Sequence, residues 1–471
     1  MISLDGVAGK KIGVYGLGVT GLATCEALVA AEADVFCWDE AGAARAKAAN
    51  TKYAPMPPKD WPWKEIASLV VSPGIPLKFP APHTIVKKAH QEKIEVIGDI
   101  ELFARAVDAL PSEDRPRIIA ITGSNGKSTT TALIGHILKE TGIKVRVGGN
   151  IGVPLLALPD LDKDAVYVLE LSSYQLDLTK SFRANTGVLL NISPDHLDRH
   201  GSMENYIAAK TRIFDRQVAG DVAVIGVDDS DAQAICARFV VTHNGRQVIP
   251  VSAEGSLGQG VYALNGSIFY SISGKSGEAG SISDIPALQG KHNWQNACAA
   301  IAACLNEGVP PNMAVGSMAR FAGLPHRMEM VGREDHILYV NDSKATNEAA
   351  TAKAVAAFDN VFLLLGGKPK GEGLDRLLPL MENVRGVYLF GEATDTFEEA
   401  LAGHAICFKC GDLDAATMRA VRDARNSASG QAVVLLSPAC ASYDQFKNFE
   451  ERGDRFKKIV RELLKKDGEA A

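Results

Sequence analysis

The chain has 471 residues, of which 46% are hydrophobic and 23% are charged, and its formal net charge is −6. This length is too great for one hydrophobic core and predicts about three domains, while the acidic balance argues against nucleic acid or an anionic membrane as a partner. No apolar run reaches the length of a membrane span and the N-terminus lacks a signal-peptide pattern, so we predict a cytoplasmic protein.

The first domain, predicted to cover residues 1–112, opens with a nucleotide-type turn. A strand at Lys11–Tyr15 leads into Gly16-Leu17-Gly18-Val19-Thr20-Gly21, which matches G-x-G-x-x-G, and Asp39 ends the next strand. Taken alone, this spacing indicates NAD or FAD, but the same glycines make room for any diphosphate at a helix N-terminus. A third strand, Leu69–Ser72, runs into Pro73-Gly74 at a position where α/β proteins bind ligands.

The second domain, predicted to cover residues 113–322, begins with a phosphate-binding loop. A strand at Arg117–Ile121 precedes Gly123-Ser124-Asn125-Gly126-Lys127-Ser128, and a helix is predicted at Thr129–Glu140. The loop has two residues between its glycines where the standard pattern has four. Lys127 would reach the terminal phosphates of ATP, and the hydroxyl of Ser128 or Thr129 would bind Mg²⁺. The alternative is a Gly-rich turn with an incidental lysine.

Three polar side chains of this domain have both a functional and a structural interpretation. Glu170 follows a buried strand and could bind Mg²⁺, or it could be a helix N-terminal Glu favoured by the dipole. His196, in Asp-His-Leu-Asp, is either a metal ligand or a structural histidine, since Mg²⁺ prefers oxygen. Lys210 lies on the amphipathic helix Tyr206–Phe214, where a solvated lysine is the default expectation.

The rest of the chain predicts a small β-rich part and then a third α/β domain. Short β-runs in Val222–Gln289, separated by turns such as Asn265-Gly266, predict hairpins or a small antiparallel sheet. Asn293 and Asn296 lie one turn apart near the start of the next helix, where Asn is also a common cap. Residues 323–471 alternate helices with strands that are continuous apolar runs, which predicts a doubly wound sheet. These runs are Ile337–Val340, Val361–Leu365, Gly386–Phe390 and Ala432–Leu436. In the Cys-x-x-Cys of this part, Cys407 and Cys410 are expected to be structural thiols.

The predicted fold class is therefore α/β with three domains. The N-terminal domain is Rossmann-like, the central one is a P-loop ATPase-like parallel sheet with a small β-rich part, and the C-terminal one is Rossmann-like. Each sheet carries polar residues at the carboxyl ends of its strands, which predicts a ligand site at the junction of the domains.

The motifs together resemble the Mur ligase family, the ATP-dependent amide-forming enzymes of peptidoglycan precursor synthesis. The resemblance covers essentially the whole chain. Its components are Gly123–Thr129, Gly149-Asn150-Ile-Gly, Glu170-Leu-Ser-Ser173, Asp195-His196-Leu-Asp198, His292-Asn293-x-x-Asn296 and Leu324-Pro-His-Arg327. Two further stretches, Asn341–Asn347 and Ser437–Gly453, are similar to the member of the family that adds D-glutamate. The resemblance implies ATP, D-glutamate and UDP-N-acetylmuramoyl-L-alanine as substrates, joined through an acyl phosphate and a tetrahedral intermediate.

The resemblance also implies roles for individual residues. The UDP group would be held by Gly18, Val19, Thr20, Asp39, Ser72, Pro73 and Gly74. The nucleotide would be held by residues 123–129 with Asn293, Asn296, Arg327 and Asp342, and Asn150 would lie by the phosphates and the UDP-sugar. One Mg²⁺ would be bound by Ser128 or Thr129, and a second by Glu170, His196 and Lys210 carrying a carbamate. D-Glutamate would be received by Thr346, Lys368, Ser442, Tyr443 and Phe449.

The implied catalytic residues are Lys127, His196, Lys210, Arg327 and Lys368, with His196 a possible base for the amine of D-glutamate. We expect a monomer. Three other functions compete with this one: an NAD-dependent dehydrogenase, a sister ligase for another amino acid, and a non-catalytic nucleotide-binding regulator. The dehydrogenase would not need Lys127 or the Glu170 and His196 pair, and the regulator would not need Lys127, Lys210 and Lys368 together.

Overall fold

The chain folds into two compact units, and the division falls between Arg320 and Phe321. The structure is a computed structural model that describes residues 1–242, 245–369, 373–427 and 430–468. It contains three separate sheets, two in the first unit and one in the second. The α/β fold class is confirmed, and the limits of the three domains given above stay predictions.

The first sheet has four parallel strands in the order β2-β1-β3-β4. Its strands are β1 (Lys11–Tyr15), β2 (Asp34–Trp38), β3 (Ile66–Val71) and β4 (Glu95–Ile97), and its helices are α1 (Val19–Ala30), α2 (Gly42–Ala48), α3 (Thr84–Gln91) and α4 (Asp99–Ala109). The turn after β1 needs glycine for close packing: a Cβ on Gly16 would overlap the Ser72 side chain, and a Cβ on Gly21 would overlap the Gly16 carbonyl.

The second sheet has nine strands in the order β13-β12-β11-β10-β9-β8-β5-β7-β6. The strands are β5 (Arg117–Thr122), β6 (Lys144–Gly149), β7 (Ala165–Glu170), β8 (Thr186–Leu189), β9 (Val222–Gly226), β10 (Gln247–Ser252), β11 (Gly260–Leu264), β12 (Ser267–Ile272) and β13 (Lys275–Ser281). The helices of this part are α5 (Lys127–Glu140), α6 (Ser173–Asp177), α7 (Leu197–His200), α8 (Met203–Thr211), α9 (Ser230–Val241), α10 (Lys291–Leu305) and α11 (Pro311–Met318).

The β-rich part differs from its prediction in one respect. The hairpins β11–β12 and β12–β13 are antiparallel, and Asn265-Gly266 with positive φ angles of 49° and 82° forms the two-residue turn of the first. However, β9, β10 and β11 pair in parallel and join these hairpins to the central sheet. The hairpins are thus an extension of the nine-stranded sheet and not a separate one.

The first two sheets share one hydrophobic core. The cluster runs from Ile2 through Phe103 of α4 and Tyr167 of β7 to Phe239 of α9, and the rings of Phe103 and Tyr167 lie 5.8 Å apart. The buried carboxylate of Glu101 also accepts hydrogen bonds from the backbone N–H groups of Lys180 (2.7 Å) and Ser181 (2.9 Å). The two sheets are therefore joined by both apolar packing and a buried polar contact.

The sheet of the second unit has six strands in the order β14-β15-β19-β16-β17-β18, of which only β14 is antiparallel to its neighbour. The strands are β14 (Glu329–Glu334), β15 (Ile337–Asn341), β16 (Val361–Gly366), β17 (Val384–Phe390), β18 (Cys407–Gly411) and β19 (Ala432–Ala439). The helices are α12 (Glu348–Val355), α13 (Thr394–Ala400), α14 (Leu413–Arg425) and α15 (Phe449–Gly468).

Both faces of this sheet are covered. Leu363 and Leu364 of β16 belong to different hydrophobic clusters, because successive side chains of a strand point to opposite faces. This arrangement explains the continuous apolar runs that marked these strands in the sequence. All eight cysteines are free. Among the described residues, each helix is either too short or too polar to span a lipid bilayer.

Candidate active site

The phosphate loop of the first unit is fixed by Asn191 and by a close approach of α10. The backbone N–H groups of Ser124 and Asn125 donate to the carbonyl and side-chain oxygens of Asn191, at 3.0 and 2.9 Å. Gly126, at φ +83°, caps α5, and a Cβ there would overlap the side-chain oxygen of Asn296. Asn296 donates in turn to Asn293 at 3.2 Å, so these two predicted residues do lie against the loop.

The first turn of α5 supplies the donors for an anion. A helix leaves its first N–H groups without intrahelical partners, and Lys127, Ser128 and Thr129 occupy this turn. The Lys127 ammonium donates to the carbonyls of Gly123 and Ser124, both at 2.9 Å, and so lies across the loop. The arrangement combines N–H dipoles, a cation and two hydroxyls, which is the equipment for binding a polyphosphate.

Lys210 is buried beside the same loop, contrary to the default expectation of a solvated helix-face lysine. Its side chain is 2% exposed, and Nζ donates to the Gly123 carbonyl at 2.7 Å and lies 4.6 Å from the centre of the Tyr206 ring. Burial, and then the nearby charge of Lys127, lowers the pKa of Lys210 from 10.5 to about 7. The expectation rested on what a lysine on an amphipathic helix usually does, whereas here the Tyr206 ring one turn earlier packs against the ammonium.

Glu170 is the last residue of β7, and only one of the two oxygens of its buried carboxylate has a hydrogen-bond partner among the described residues. Oε1 accepts a hydrogen bond from the side chain of Asn150 at 2.9 Å, whereas Oε2 is buried without a partner among the described residues. The helix that follows starts at Ser173 with Ser172 as its cap, so Glu170 precedes that helix. Leaving a buried carboxylate oxygen unpaired is costly, and a divalent cation would satisfy it.

His196 does not contact Glu170 or Lys210 in the described contacts. It sits in the left-handed region, at φ +54°, as the residue before α7, and its side chain is 48% exposed. Its ring packs against Tyr174 at 4.9 Å, and Nε2 lies 3.4 Å from the Asp195 carboxylate. Among the residues that the structure describes, no group of three His, Cys, Asp or Glu side chains could hold a metal ion. The oxygen donors Ser128, Thr129 and Glu170 suit Mg²⁺, but Lys210 can join them only as a carbamate.

Sequence reasoning missed a buried histidine behind this cluster. His200 is 4% exposed, pairs with the Ser173 hydroxyl at 3.0 Å and packs between the rings of Tyr174 and Tyr206. The Tyr206 hydroxyl reaches the Ser124 hydroxyl of the phosphate loop at 2.9 Å. The sequence gives one signal for this cluster: Tyr206 and Lys210 are four residues apart, so their side chains lie on the same face of one helix. It gives none for His200.

The predicted UDP-binding residues gather at the carboxyl ends of the first sheet. Asp39 accepts hydrogen bonds from the backbone N–H groups of Leu17 (2.6 Å) and Ala41 (2.7 Å), and the Ser72 hydroxyl donates to the Gly16 carbonyl at 3.1 Å. Gly18, Val19 and Thr20 form the start of α1, with Val19 74% exposed. The space beside Gly74 is open, since a Cβ there would meet nothing within 4 Å.

The sequence analysis also missed an arginine at this edge. The Arg45 guanidinium donates to the carbonyls of Asp39 and Glu40, both at 2.7 Å, and lies 4.5 Å from the centre of the Trp38 ring. It thereby holds the chain that follows β2 in place.

In the second unit, Asp342 and Arg327 lie near each other, where β14 begins and β15 ends. Asp342 is buried and accepts hydrogen bonds from the Ser437 hydroxyl (2.9 Å) and the Met328 backbone N–H (3.2 Å). Burial raises the pKa of Asp342 to about 7, and the charge of exposed Arg327 opposes that shift.

The residues predicted for D-glutamate stand on neighbouring loops of this unit. Lys368 pairs through its backbone with Ala441, at 2.8 and 3.2 Å, which places the loop after β16 next to the loop after β19. Ser442 is buried, whereas Tyr443 is 70% exposed. Phe449 is half-buried and begins α15, with the Lys344 ammonium 5.7 Å from its ring centre, and Thr346 follows two residues after Lys344.

Comparison with known proteins identifies matching families for both units. Residues 121–304 match the Mur ligase middle domain, and residues 326–440 match the glutamate ligase domain of Mur ligases. The chain is 49% identical, over 99% of its length and 99% of the relative's, to a UDP-N-acetylmuramoylalanine--D-glutamate ligase of Caulobacter sp. (strain K31). It is 48% identical, over 100% and 99%, to the enzyme of that name from Phenylobacterium zucineum (strain HLK1).

Solved structures of similar fold come from the same group of enzymes. The UDP-N-acetylmuramate-alanine ligase MurC from Thermotoga maritima is 16% identical, with a TM-score of 0.55, and the match covers 96% of this chain and 99% of that one. The MurF ligase from Thermotoga maritima in complex with ADP is 15% identical, with a TM-score of 0.54 and coverage of 98% of both chains. At these identities the likeness concerns the fold alone.

Proposed function

This chain belongs to the Mur ligase family, and we propose that it joins D-glutamate to UDP-N-acetylmuramoyl-L-alanine while ATP is converted to ADP and phosphate. The reaction forms an amide bond in peptidoglycan precursor synthesis. The observation that carries this conclusion is the match of the whole chain, at 49% identity, to ligases named for D-glutamate. The cytoplasmic location and the monomeric state stay predictions.

The chemical problem is that a carboxylate is a poor electrophile. The γ-phosphoryl group of ATP moves to the L-alanyl carboxylate, which forms an acyl phosphate and releases ADP. The amine of D-glutamate then attacks the acyl carbon, and the tetrahedral adduct collapses to an amide with loss of phosphate and a proton. The demand on the protein is to position these groups and neutralise their charge.

The phosphate loop would position the phosphates of ATP and neutralise part of their charge. Lys127 begins α5, and its ammonium would exchange the carbonyls of Gly123 and Ser124 for phosphate oxygens bound at that helix N-terminus. Asn293 and Asn296, behind Gly126, would support the nucleotide side of the loop. Arg327 would add positive charge as the phosphoryl group moves.

Ser128 or Thr129 would hold one Mg²⁺, and Glu170, His196 and carbamylated Lys210 would hold a second. When bound, these ions would supply charge neutralisation for the phosphates and the developing acyl phosphate. The unpaired Oε2 of Glu170 supports a cation at this position. His196 lies among exposed groups and would have to turn from Asp195 to join the set.

The lowered pKa of Lys210 supports its carbamylation. A pKa of about 7 leaves much of the amine neutral at physiological pH, and only a neutral amine can attack CO₂. The new N–C bond forms as one N–H proton is lost, and the product carries two oxygens and a negative charge. Burial disfavours an unpaired charge of either sign, so the carbamate anion would be stabilised there by pairing with Mg²⁺.

D-Glutamate would bind to the second unit. Thr346 and Lys368 would receive one carboxylate, and Ser442 with the backbone near Phe449 would receive the other, with Tyr443 at the exposed rim. The amine must lose a proton before it attacks, and His196 is our candidate for the base.

Phosphate release from ATP tests this proposal directly. We would measure it with UDP-N-acetylmuramoyl-L-alanine, with and without D-glutamate, and follow the UDP product by mass. We expect release that requires both substrates and a product heavier by one glutamyl residue. Incorporation of L-lysine or diaminopimelate in place of D-glutamate would make the chain a sister ligase. No turnover with Mg²⁺ present and Lys210 shown to be carbamylated would make it a regulator.

A further inference from the structure

Arg452 is a buried guanidinium that none of the functions above uses. It lies in the first turn of α15 and is 0% exposed, among the largest fully buried side chains of the protein. All three of its nitrogens donate hydrogen bonds. Nε donates to the Ser343 hydroxyl (3.0 Å), Nη1 to the Ala441 carbonyl (3.2 Å), and Nη2 to the carbonyls of Ser343 (2.9 Å) and Cys440 (3.0 Å).

None of these acceptors carries a charge. Among the described residues, no carboxylate forms a salt bridge or hydrogen bond with Arg452, although arginines buried this deeply are ordinarily paired with an acid. Burial lowers the pKa of Arg452 to about 10, and the charge of Asp444 opposes that shift, so the side chain remains a cation at neutral pH. The second unit therefore keeps a buried cation that no acid contacts directly.

The acceptors of Arg452 lie on the loops that carry the predicted D-glutamate residues. Ser343 follows β15 and stands three residues before Thr346, and its hydroxyl donates to the Phe449 carbonyl at 2.8 Å. Cys440 and Ala441 follow β19 and precede Ser442. Ala441 is paired by its backbone with Lys368 of the loop after β16.

One side chain thus fixes three strand ends relative to one another. A Cβ on Gly367 would come within 3.0 Å of Nη1, so the loop after β16 also packs directly against the guanidinium. The planar fork of arginine can serve three directions at once, whereas a lysine ammonium is a single point with a flexible stem.

We propose that Arg452 is a positioning residue for a dicarboxylate amino-acid substrate: it aligns the three loops that receive the substrate and places a buried cation behind them. The inference rests on the proposed function for the location of that site. A dianionic ligand is the partner that a buried cation behind these loops favours electrostatically.

The test uses the full-length chain with Arg452→Lys and Arg452→Met and compares KM for D-glutamate with KM for ATP and for the UDP substrate. We expect KM for D-glutamate to rise about tenfold in Arg452→Lys and further in Arg452→Met, while the other two KM values stay within about twofold. Phe456→Leu is the matched control, because Phe456 is equally buried one turn further along α15 and packs in the core.

A merely structural role would give a different pattern. If Arg452→Lys and Phe456→Leu lower the melting temperature alike and change all three KM values alike, the proposal is overturned. If Arg452→Met does not fold, Ser343→Ala serves instead, because it removes the hydroxyl that links Nε to the Phe449 carbonyl. That variant should raise KM for D-glutamate about threefold, and an unchanged KM would overturn the proposal.

The wild-type enzyme separates this inference from the proposed function. If the wild type incorporates another acidic amino acid, the D-glutamate assignment fails, and the same KM comparison is made with that substrate. If the wild type prefers an amino acid with an uncharged or basic side chain, a charge kept for a dicarboxylate has no purpose and the inference fails as well.

Discussion

Lys210 and Arg452 are both buried cations, one in each unit, and their surroundings give them opposite properties. Among the described residues Lys210 donates one hydrogen bond, to Gly123, and faces the like charge of Lys127, whereas Arg452 has four acceptors. The pKa of Lys210 falls to about 7 and that of Arg452 only to about 10. A buried amine with too few acceptors becomes a neutral nucleophile, while a well-satisfied guanidinium stays a cation.

The largest expected effect concerns the chemical use of Lys210. Lys210→Gln keeps a polar side chain but cannot form a carbamate, and we expect kcat to fall about 100- to 1,000-fold with the fold intact. The measurement is steady-state phosphate release with all substrates saturating. Lys139→Gln, at an exposed position in the last turn of α5, is the matched control and should leave kcat unchanged. A Lys210→Gln enzyme of normal kcat would remove Lys210 from the machinery.

The second prediction concerns stability and pH. Above pH 7 folded Lys210 loses its proton while the unfolded chain keeps it up to about pH 10.5, so the stability of the wild type should rise with pH across this window. Lys210→Met should therefore be more stable than the wild type by roughly 2 to 4 kcal/mol at pH 7, and this advantage should fade toward pH 10.5.

Denaturant unfolding in CO₂-free buffer at several pH values measures this difference. Lys139→Met is the control and should show no such trend, because Lys139 is exposed. A difference between Lys210→Met and the wild type that does not change with pH would mean that Lys210 is not desolvated as described.

Arg452 should behave in the opposite way. Arg452→Met loses the hydrogen-bonding fork and should destabilise the second unit by about 2 kcal/mol. Because the pKa of Arg452 lies at about 10 in the folded protein and methionine does not titrate, the difference from the wild type should be constant between pH 6 and pH 9. Urea unfolding measures it, with exposed Arg461→Met on the same helix as the control. A loss that grows or shrinks across this range would contradict the contrast with Lys210.

The smallest expected effect concerns the close contact between Gly126 of the phosphate loop and Asn296. In Gly126→Ala the new Cβ must take a φ of +83° and would overlap Asn296, so KM for ATP should rise about tenfold. Adding Asn296→Ala removes the obstacle but not the strain and should recover part of the loss in a double-mutant comparison. Strictly additive effects of the two substitutions would mean that the contact is unimportant.

Much of the scaffold could be predicted because its signals are local. The strand Lys11–Tyr15 was predicted with its observed limits, and the apolar runs of the second unit match β15, β16, β17 and β19 to within a few residues. The turn at Asn265-Gly266 was also predicted, because Asn and Gly readily adopt the positive φ angles that a two-residue hairpin turn requires. The partners of β10 could not be predicted, since parallel pairing depends on residues far apart in the chain.

The same distinction between local signals and distant partners holds for the candidate active site. The phosphate loop was visible because strand, glycines, lysine and helix are contiguous, whereas the burial of Lys210 depends on Tyr206 and on a carbonyl that is 87 residues away. His200 and Arg452 carried no local signal of function, because their partners come from distant strand ends. The G-x-G-x-x-G turn was ambiguous for a physical reason: its glycines report close packing around Gly16 and not the identity of the diphosphate.

The core shared by the first two sheets has a consequence for the order of synthesis. The N-terminal sheet leaves the ribosome first, but Phe103 must wait for Tyr167, and the Glu101 carboxylate must wait for the N–H groups of Lys180 and Ser181. Until those residues emerge, the nascent sheet exposes apolar surface and an unsatisfied acid. The first strands are thus made well before the residues that complete their packing, and chaperones have that interval in which to act.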